Sequence, residues 1–183
     1  MDLLEIIFPR SSKIKTNFGK ESLPAFVEET GFRQVILNLA INARDAIGRT
    51  GKISISVRKV EKGSPLLYGK DQPSGFAECT GAEICISDNG KGISENIKDK
   101  LFDPFFSTKE ASKGSGFGLY NSKLFIEDHN GKIGFVSEEG KGSSFFLFIP
   151  LFVNEVSKKK NLQKARRATR EFVKTRNSKP QKP

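Results

Sequence analysis

The stretch "KIGFVSEEGKGSSFFLFIP", residues 132–150, constrains the fold most. It reads as two strands joined by a tight turn at residues 139–142, where Gly140 and Gly142 supply the backbone freedom a short turn needs. A tight turn can only join antiparallel neighbours, whereas parallel strands need a long crossover. Upstream, strands and helices are interleaved. "SKIKTNF" alternates Ile14, Thr16 and Phe18 and predicts a strand; "LPAFVEET" has room for one short strand. "GFRQVILNLAINARDAIG" places Phe32, Val35, Ile36, Leu39, Ala43 and Ala46 on the helical repeat, with Thr30 as N-cap and Gly48 as the stop. "KISISVRKV" alternates Ile53, Ile55 and Val57 as a half-buried strand, and "AEICISD" is the next. "EKGSPLLYGKDQPSGFAECTG" between them is turn-rich and predicts a long surface loop. "SENIKDKLF" predicts a short helix capped by Ser94, and "FGLYNSKLFIEDHNG" a helix ending at Gly131. An interleaved order with a closing hairpin implies an α/β two-layer sandwich. Its sheet is mixed, mostly antiparallel, and covered on one face by helices.

Charge bears on function only through where it sits. The chain carries a net charge of +10, which invites a nucleic-acid reading. Residues 151–183 hold 11 Lys or Arg against 2 Glu, leaving 20 basic and 19 acidic residues in the first 150. The body is nearly neutral, so the basicity belongs to a tail and nucleic acid is not the expected partner. The domains expected are a lead-in at 1–12, a folded domain at 13–152 and a basic, partly helical or disordered tail at 153–183. Two cysteines, Cys79 and Cys85, make no disulfide framework; Cys85 in its apolar run reads as a small buried thiol in a reducing compartment. The opening "MDLLEIIFPR" lacks the basic start of a signal peptide, and "FFLFIPLFV" is too short to span a bilayer, so a cytoplasmic protein is expected.

Four clusters carry the polar and glycine residues that chemistry needs. In "NLAINARDA", Asn38 and Asn42 share a helical face, with Asp45 a turn further on. Asn is a mediocre helix former, and its carbonyl is a hard oxygen suited to Mg²⁺; a solvated polar stripe is the plainer account. In "SDNGKGIS", Asp88 ends an apolar strand and meets Gly90 and Gly92, which suits either the floor of a polar pocket or an ordinary turn. In "FDPFFSTK", Phe102, Phe105 and Phe106 flank Pro104 in an irregular stretch. They could anchor a mobile lid or a plain loop, and Lys109 could reach a phosphate. "KGSGFGLY" runs Gly114, Gly116 and Gly118 directly into a helix, whose N-terminal N–H groups suit an anion; a flexible hinge is the alternative. Its G-x-G-x-G spacing after an irregular segment is neither a dinucleotide-binding fingerprint nor a P-loop.

Taken in order, N-L-x-x-N-A-x-D-A, D-x-G-x-G-I, F-D-P-F-F-x-T-K and G-x-G-x-G-L resemble the N, G1, F and G2 boxes of a sensor histidine kinase catalytic domain. That domain belongs to the superfamily of gyrase B, MutL and a heat-shock chaperone. The resemblance runs from about Ile14 to Pro150, and the "NARDA" form resembles the nitrogen-sensor subtype. It implies ATP and Mg²⁺ as cofactors. Asn42 would coordinate the metal, with Asn38 nearby. Asp88 would accept a hydrogen bond from the adenine amino group, with Gly90, Gly92 and Ile93 lining the base. Ser143 would support that contact through water. Residues 102–116 would form the lid, so Phe102, Lys113 and Ser115 fall within it. Gly114, Gly116 and Gly118, with Phe117 and Leu119 beside them, would meet the phosphates. Lys109 or Lys113 would neutralise phosphate charge, and Asp45 would belong to the ATP-binding set, at a position where many such kinases place a basic residue that touches phosphate. ATP-hydrolysing members usually carry a Glu general base at the position of Asn38. Asn cannot take a proton, which implies a transferase rather than a hydrolase.

Such a kinase needs a phosphorylatable His on a dimerising hairpin, and a response regulator downstream. The single histidine, His129, lies at a helix end, where capping and the helix dipole account for it. The acceptor is therefore expected outside this chain, in trans or in a longer protein. Two other functions compete: a stand-alone nucleotide-binding regulatory module, and a nucleic-acid binder led by the tail.

Overall fold

Helix α1, Glu29–Ile47, organises the fold. The computed structural model describes residues 7–8, 12–48, 50–66, 77–109 and 116–152. The buried residues of α1 are Val35, Leu39, Ala40, Ala43 and Ile47. Its core stripe thus takes in Ala40 and Ile47, while the expected Ala46 is only half-buried. The cap is Glu28 rather than Thr30. The Glu28 carboxylate accepts from the backbone N–H groups of Thr30 and Gly31, at 2.7 and 2.5 Å. Residue 28 is still extended (φ −70°, ψ 122°), and a cap must sit where helical backbone begins. Thr30 already lies inside the first turn. Gly48 ends the helix at φ +64° as expected.

Five strands form one sheet: β1 (Lys13–Asn17), β2 (Lys52–Val60), β3 (Gly81–Asp88), β4 (Lys132–Glu138) and β5 (Gly142–Pro150). Their order is β1-β2-β3-β5-β4. β1 runs parallel to β2, and the remaining pairs are antiparallel. This is the mixed, mostly antiparallel sheet expected, with the helices on one face. Register decides which residues face them: Ile55 lies opposite Ile86, and Ile86 opposite Phe145. Ile53, Ile55, Ile84, Ile86, Phe145, Leu147 and Ile149 therefore meet Val35, Leu39 and Ala43 of α1 in the main core. The "LPAFVEET" segment makes only a single bridge, Ala25 to Leu151. The loop after β2 is not purely a surface feature, because Leu66 and Ala77 at its described ends pack with Val60 and Phe148 in a second small core.

The other helices are shorter than their patterns predict. α2 covers only Glu95–Lys98, and Ser94 stands at its N-cap without a side-chain cap hydrogen bond. α3 spans Gly118–Asp128; Asn130 then takes a positive φ of 56°, so the helix stops before Gly131. His129 closes this end as expected. Its Nδ1 donates to the Phe125 carbonyl at 2.8 Å, while its Nε2 accepts the Glu28 N–H at 3.3 Å. The same imidazole thus finishes α3 and ties it to the start of α1. Cys79 and Cys85 are free and half-buried, and burial pushes the Cys85 thiol up to about 11. All these elements lie in one compact unit, Met1–Leu151. Among the described residues no helix is long and apolar enough to cross a membrane.

Candidate functional site

One side of α1 touches every polar cluster singled out in the sequence. Its first contact is with the loop after β3. A Cβ on Gly90 would lie 2.4 Å from the carbonyl carbon of Ala46, so only glycine lets that loop lie against the helix. The Lys91 N–H also donates to the Ala46 carbonyl at 3.1 Å. Gly92 has φ +68°, and a Cβ there would meet the Glu138 carbonyl oxygen at 2.1 Å. The two glycines therefore let the loop pass between the helix and the β4–β5 turn.

Asp88 sits at the head of this loop and is only 8% exposed. Its Oδ1 accepts the Gly90 N–H at 2.8 Å. Burial pushes its carboxyl above the usual range, against the opposing effect of the Gly90 and Ser143 backbone N–H groups. Ser143 lies directly opposite Asp88 across the β3–β5 ladder. A hydroxyl chain follows from it. Ser137 Oγ donates to the Gly142 carbonyl at 2.9 Å, so it receives the Ser143 hydroxyl at 2.9 Å and the Ile93 N–H at 2.9 Å. Ser137 went unnoticed in the sequence, although its place opposite Ser143 is implied by the hairpin register.

The second contact is ionic. Lys109 Nζ lies 2.7 Å from Asp45 Oδ2 and 3.1 Å from Asn42 Oδ1. An ammonium can only donate, so the carboxamide oxygen of Asn42 must be the atom that faces it. Asp45 Oδ1 also receives Arg44 Nε and its terminal nitrogen, at 2.9 and 2.7 Å. Partial burial alone would raise the Asp45 carboxyl, but hydrogen bonds from Lys109 and Arg44 outweigh it and hold the group below its usual range. A neutral oxygen and a carboxylate thus converge on one cationic group. That donor set is also one that suits a hard divalent cation.

The third contact joins α1 to the start of α3. Asn38 Nδ2 donates to the Gly118 carbonyl at 3.3 Å and lies 3.4 Å from Ser122 Oγ. Ser122, a buried partner the sequence reading missed, in turn donates to the Gly118 carbonyl at 2.7 Å. Asn38 and Asn42 share a face yet serve different neighbours.

The remaining expected site residues divide in three. Gly116, at φ +71°, backs onto Phe105, where an added Cβ would lie 2.4 Å from the carbonyl carbon. Phe105 itself has φ +66°, and its ring meets that of Phe117 edge-on at 4.6 Å. The two ends of the 105–116 stretch therefore meet at their bases. Phe102 and Leu119 pack against the main core, Phe102 with its ring 5.9 Å from Phe135. Lys113, Gly114 and Ser115 lie outside the described residues.

Residues 27–153 match the family described as histidine kinase-, DNA gyrase B- and HSP90-like ATPase. The chain is 33% identical over 172 residues to the sensor kinase CckA of Brucella abortus, covering 89% of this chain and 18% of that protein. It is 38% identical over 143 residues to the sensor histidine kinase ZraS of Escherichia coli, covering 77% and 26%. The chain therefore spans about a fifth to a quarter of these relatives. Among solved structures, the catalytic domain of histidine kinase ThkA superposes with a TM-score of 0.59 at 30% identity, over 77% of this chain and 80% of that one. Full-length ShkA in complex with AMPPNP superposes with a TM-score of 0.62 at 19% identity, over 82% and 29%, a likeness of fold.

Proposed function

The chain belongs to the histidine kinase-, DNA gyrase B- and HSP90-like ATPase family, and on that premise we propose that it is the ATP-binding catalytic domain of a cytoplasmic sensor kinase. It would pass the γ-phosphoryl group of ATP to a histidine outside this chain, on a dimerisation hairpin that in turn serves a response regulator. The folded domain would span residues 13–152, with 153–183 as a separate basic tail. One observation carries the reading: a single helix face brings together the Asp88–Ile93 loop, Lys109 and the start of α3, which lie far apart in sequence.

Roles follow from chemistry. Asp88 is a buried acceptor at a strand end, where it would take the amino group of adenine. The loop that Gly90 and Gly92 hold against α1 and the β4–β5 turn would line the base, and Ile93 would pack near it. Ser143, fixed by Ser137, would orient a water between Asp88 and the base. The N–H groups at Gly116 to Leu119, with Gly114 and Ser115 before them, would meet the phosphates at the positive end of α3. Asn42 would hold Mg²⁺, which would supply positive charge against the phosphates when bound. Lys109 and Lys113 would add point charges there. Asn38 has no proton-accepting nitrogen or carboxylate, so it would position the start of α3 rather than activate water. The closing "NARDA" pattern supports the nitrogen-sensor subtype within this family.

The test is single-turnover transfer from γ-labelled ATP to a supplied His-bearing hairpin. Label on the hairpin histidine is expected, and its loss in Asn42→Ala. Tight ATP binding without transfer would refute the kinase reading in favour of a regulatory nucleotide module.

A further inference from the structure

The ammonium of Lys109 fills the position between Asn42 Oδ1 and Asp45 Oδ2, at 3.1 and 2.7 Å. It arrives from 67 residues away in sequence, on an irregular segment. The Ser107 hydroxyl holds the Lys109 backbone N–H at 3.1 Å, and Phe105 beside it is 75% exposed. The Lys109 and Asp45 side chains keep 31% and 34% of their surface in solvent. The pair can therefore be opened without unfolding the core. A metal ion takes its oxygen ligands at about 2.0–2.1 Å, well inside the spacing this ammonium keeps. The two cations cannot occupy the position together.

Resting on the nucleotide-binding reading above, we propose that Lys109 is a tethered surrogate cation in the nucleotide-free protein, and that Asp45 positions it instead of binding nucleotide. A metal-bearing nucleotide displaces the ammonium with a cation of its own and frees Lys109 for phosphate. A metal-free nucleotide must pull Lys109 off Asp45 and leave that carboxylate facing the phosphates with Arg44 as its remaining cation among the described residues. Asp45 therefore sets how strongly nucleotide affinity depends on Mg²⁺. This assignment departs from the role in ATP binding expected of Asp45 from sequence.

The experiment is calorimetric titration of the full chain with ADP, with Mg²⁺ and with EDTA, in wild type and Asp45→Asn. The ratio of the two affinities is expected to fall roughly three- to tenfold in Asp45→Asn, mainly because metal-free ADP binds more tightly. A second variant, Lys109→Met, is read without nucleotide. Its paramagnetic Mn²⁺ titration is expected to give at least about threefold tighter binding than wild type, because the oxygen pair is vacated. An unchanged ratio in Asp45→Asn, or equal Mn²⁺ affinity in wild type and Lys109→Met, overturns the proposal. Equal losses of affinity with and without Mg²⁺ would make Asp45 a nucleotide ligand and overturn it too. Failure of wild type to bind ADP at all would instead sink the nucleotide reading on which this rests.

Discussion

Asp88→Asn is the sharpest test of how the site reads a base. Asp88 is 8% exposed, and its Oδ1 holds the Gly90 N–H at 2.8 Å. Asparagine has one oxygen, and the Gly90 N–H claims it. The amide nitrogen then faces outward and presents a donor where the carboxylate presented an acceptor. Against the adenine amino group, donor meets donor. Losing a charged acceptor inside a buried site is worth about 1.5–3 kcal/mol, or roughly a 10- to 150-fold loss in ADP affinity. An inosine nucleotide carries a carbonyl at that ring position, so its affinity is expected to fall far less or to rise. Parallel titrations with ADP and IDP measure both. The variant also removes a pH dependence. The folded state raises the Asp88 pKa, so its contribution to stability is full below the ordinary value of 3.8 and is lost as pH rises through the folded value. Denaturant titrations across that window are expected to show a flatter slope in Asp88→Asn. A folded variant that binds ADP within about threefold of wild type would refute the reasoning.

Three further outcomes follow. Leu39→Ala removes a side chain 1% exposed between α1 and the sheet, and is expected to cost about 2–5 kcal/mol in denaturant titration. Gly92→Ala forces a side chain onto φ +68° and against the Glu138 carbonyl, so it is expected to lose about 1–3 kcal/mol from backbone strain alone, together with ADP binding. Glu28→Gln weakens the α1 cap. The Gly31 and Thr30 N–H groups hold the Glu28 pKa below 4.5, so its contribution is present above that value and is lost as pH falls through the folded pKa; the variant's Tm is expected to fall below wild type at neutral pH and to converge with it in acid.

Much of the fold and the site could be read from residues alone. Alternation at Ile53 and Ile55, the helical repeat of Val35, Leu39 and Ala43, and the turn at Gly140 and Gly142 each report a local backbone geometry, which near neighbours dictate. The same logic put Asn38 and Asn42 on one helical face and marked Asp88 as the end of an apolar strand. Tertiary structure decided what those groups meet. Glu28 took the cap from Thr30 because the entry angle of the chain, not the residue type, selects the cap. Asn38 went to Gly118, 80 residues on, and Asn42 to Lys109, 67 residues on. Such pairings depend on how helix and sheet pack after the intervening loops close. No periodicity in the chain records that, and so the position of Lys109 on the Asn42–Asp45 pair became legible only in three dimensions.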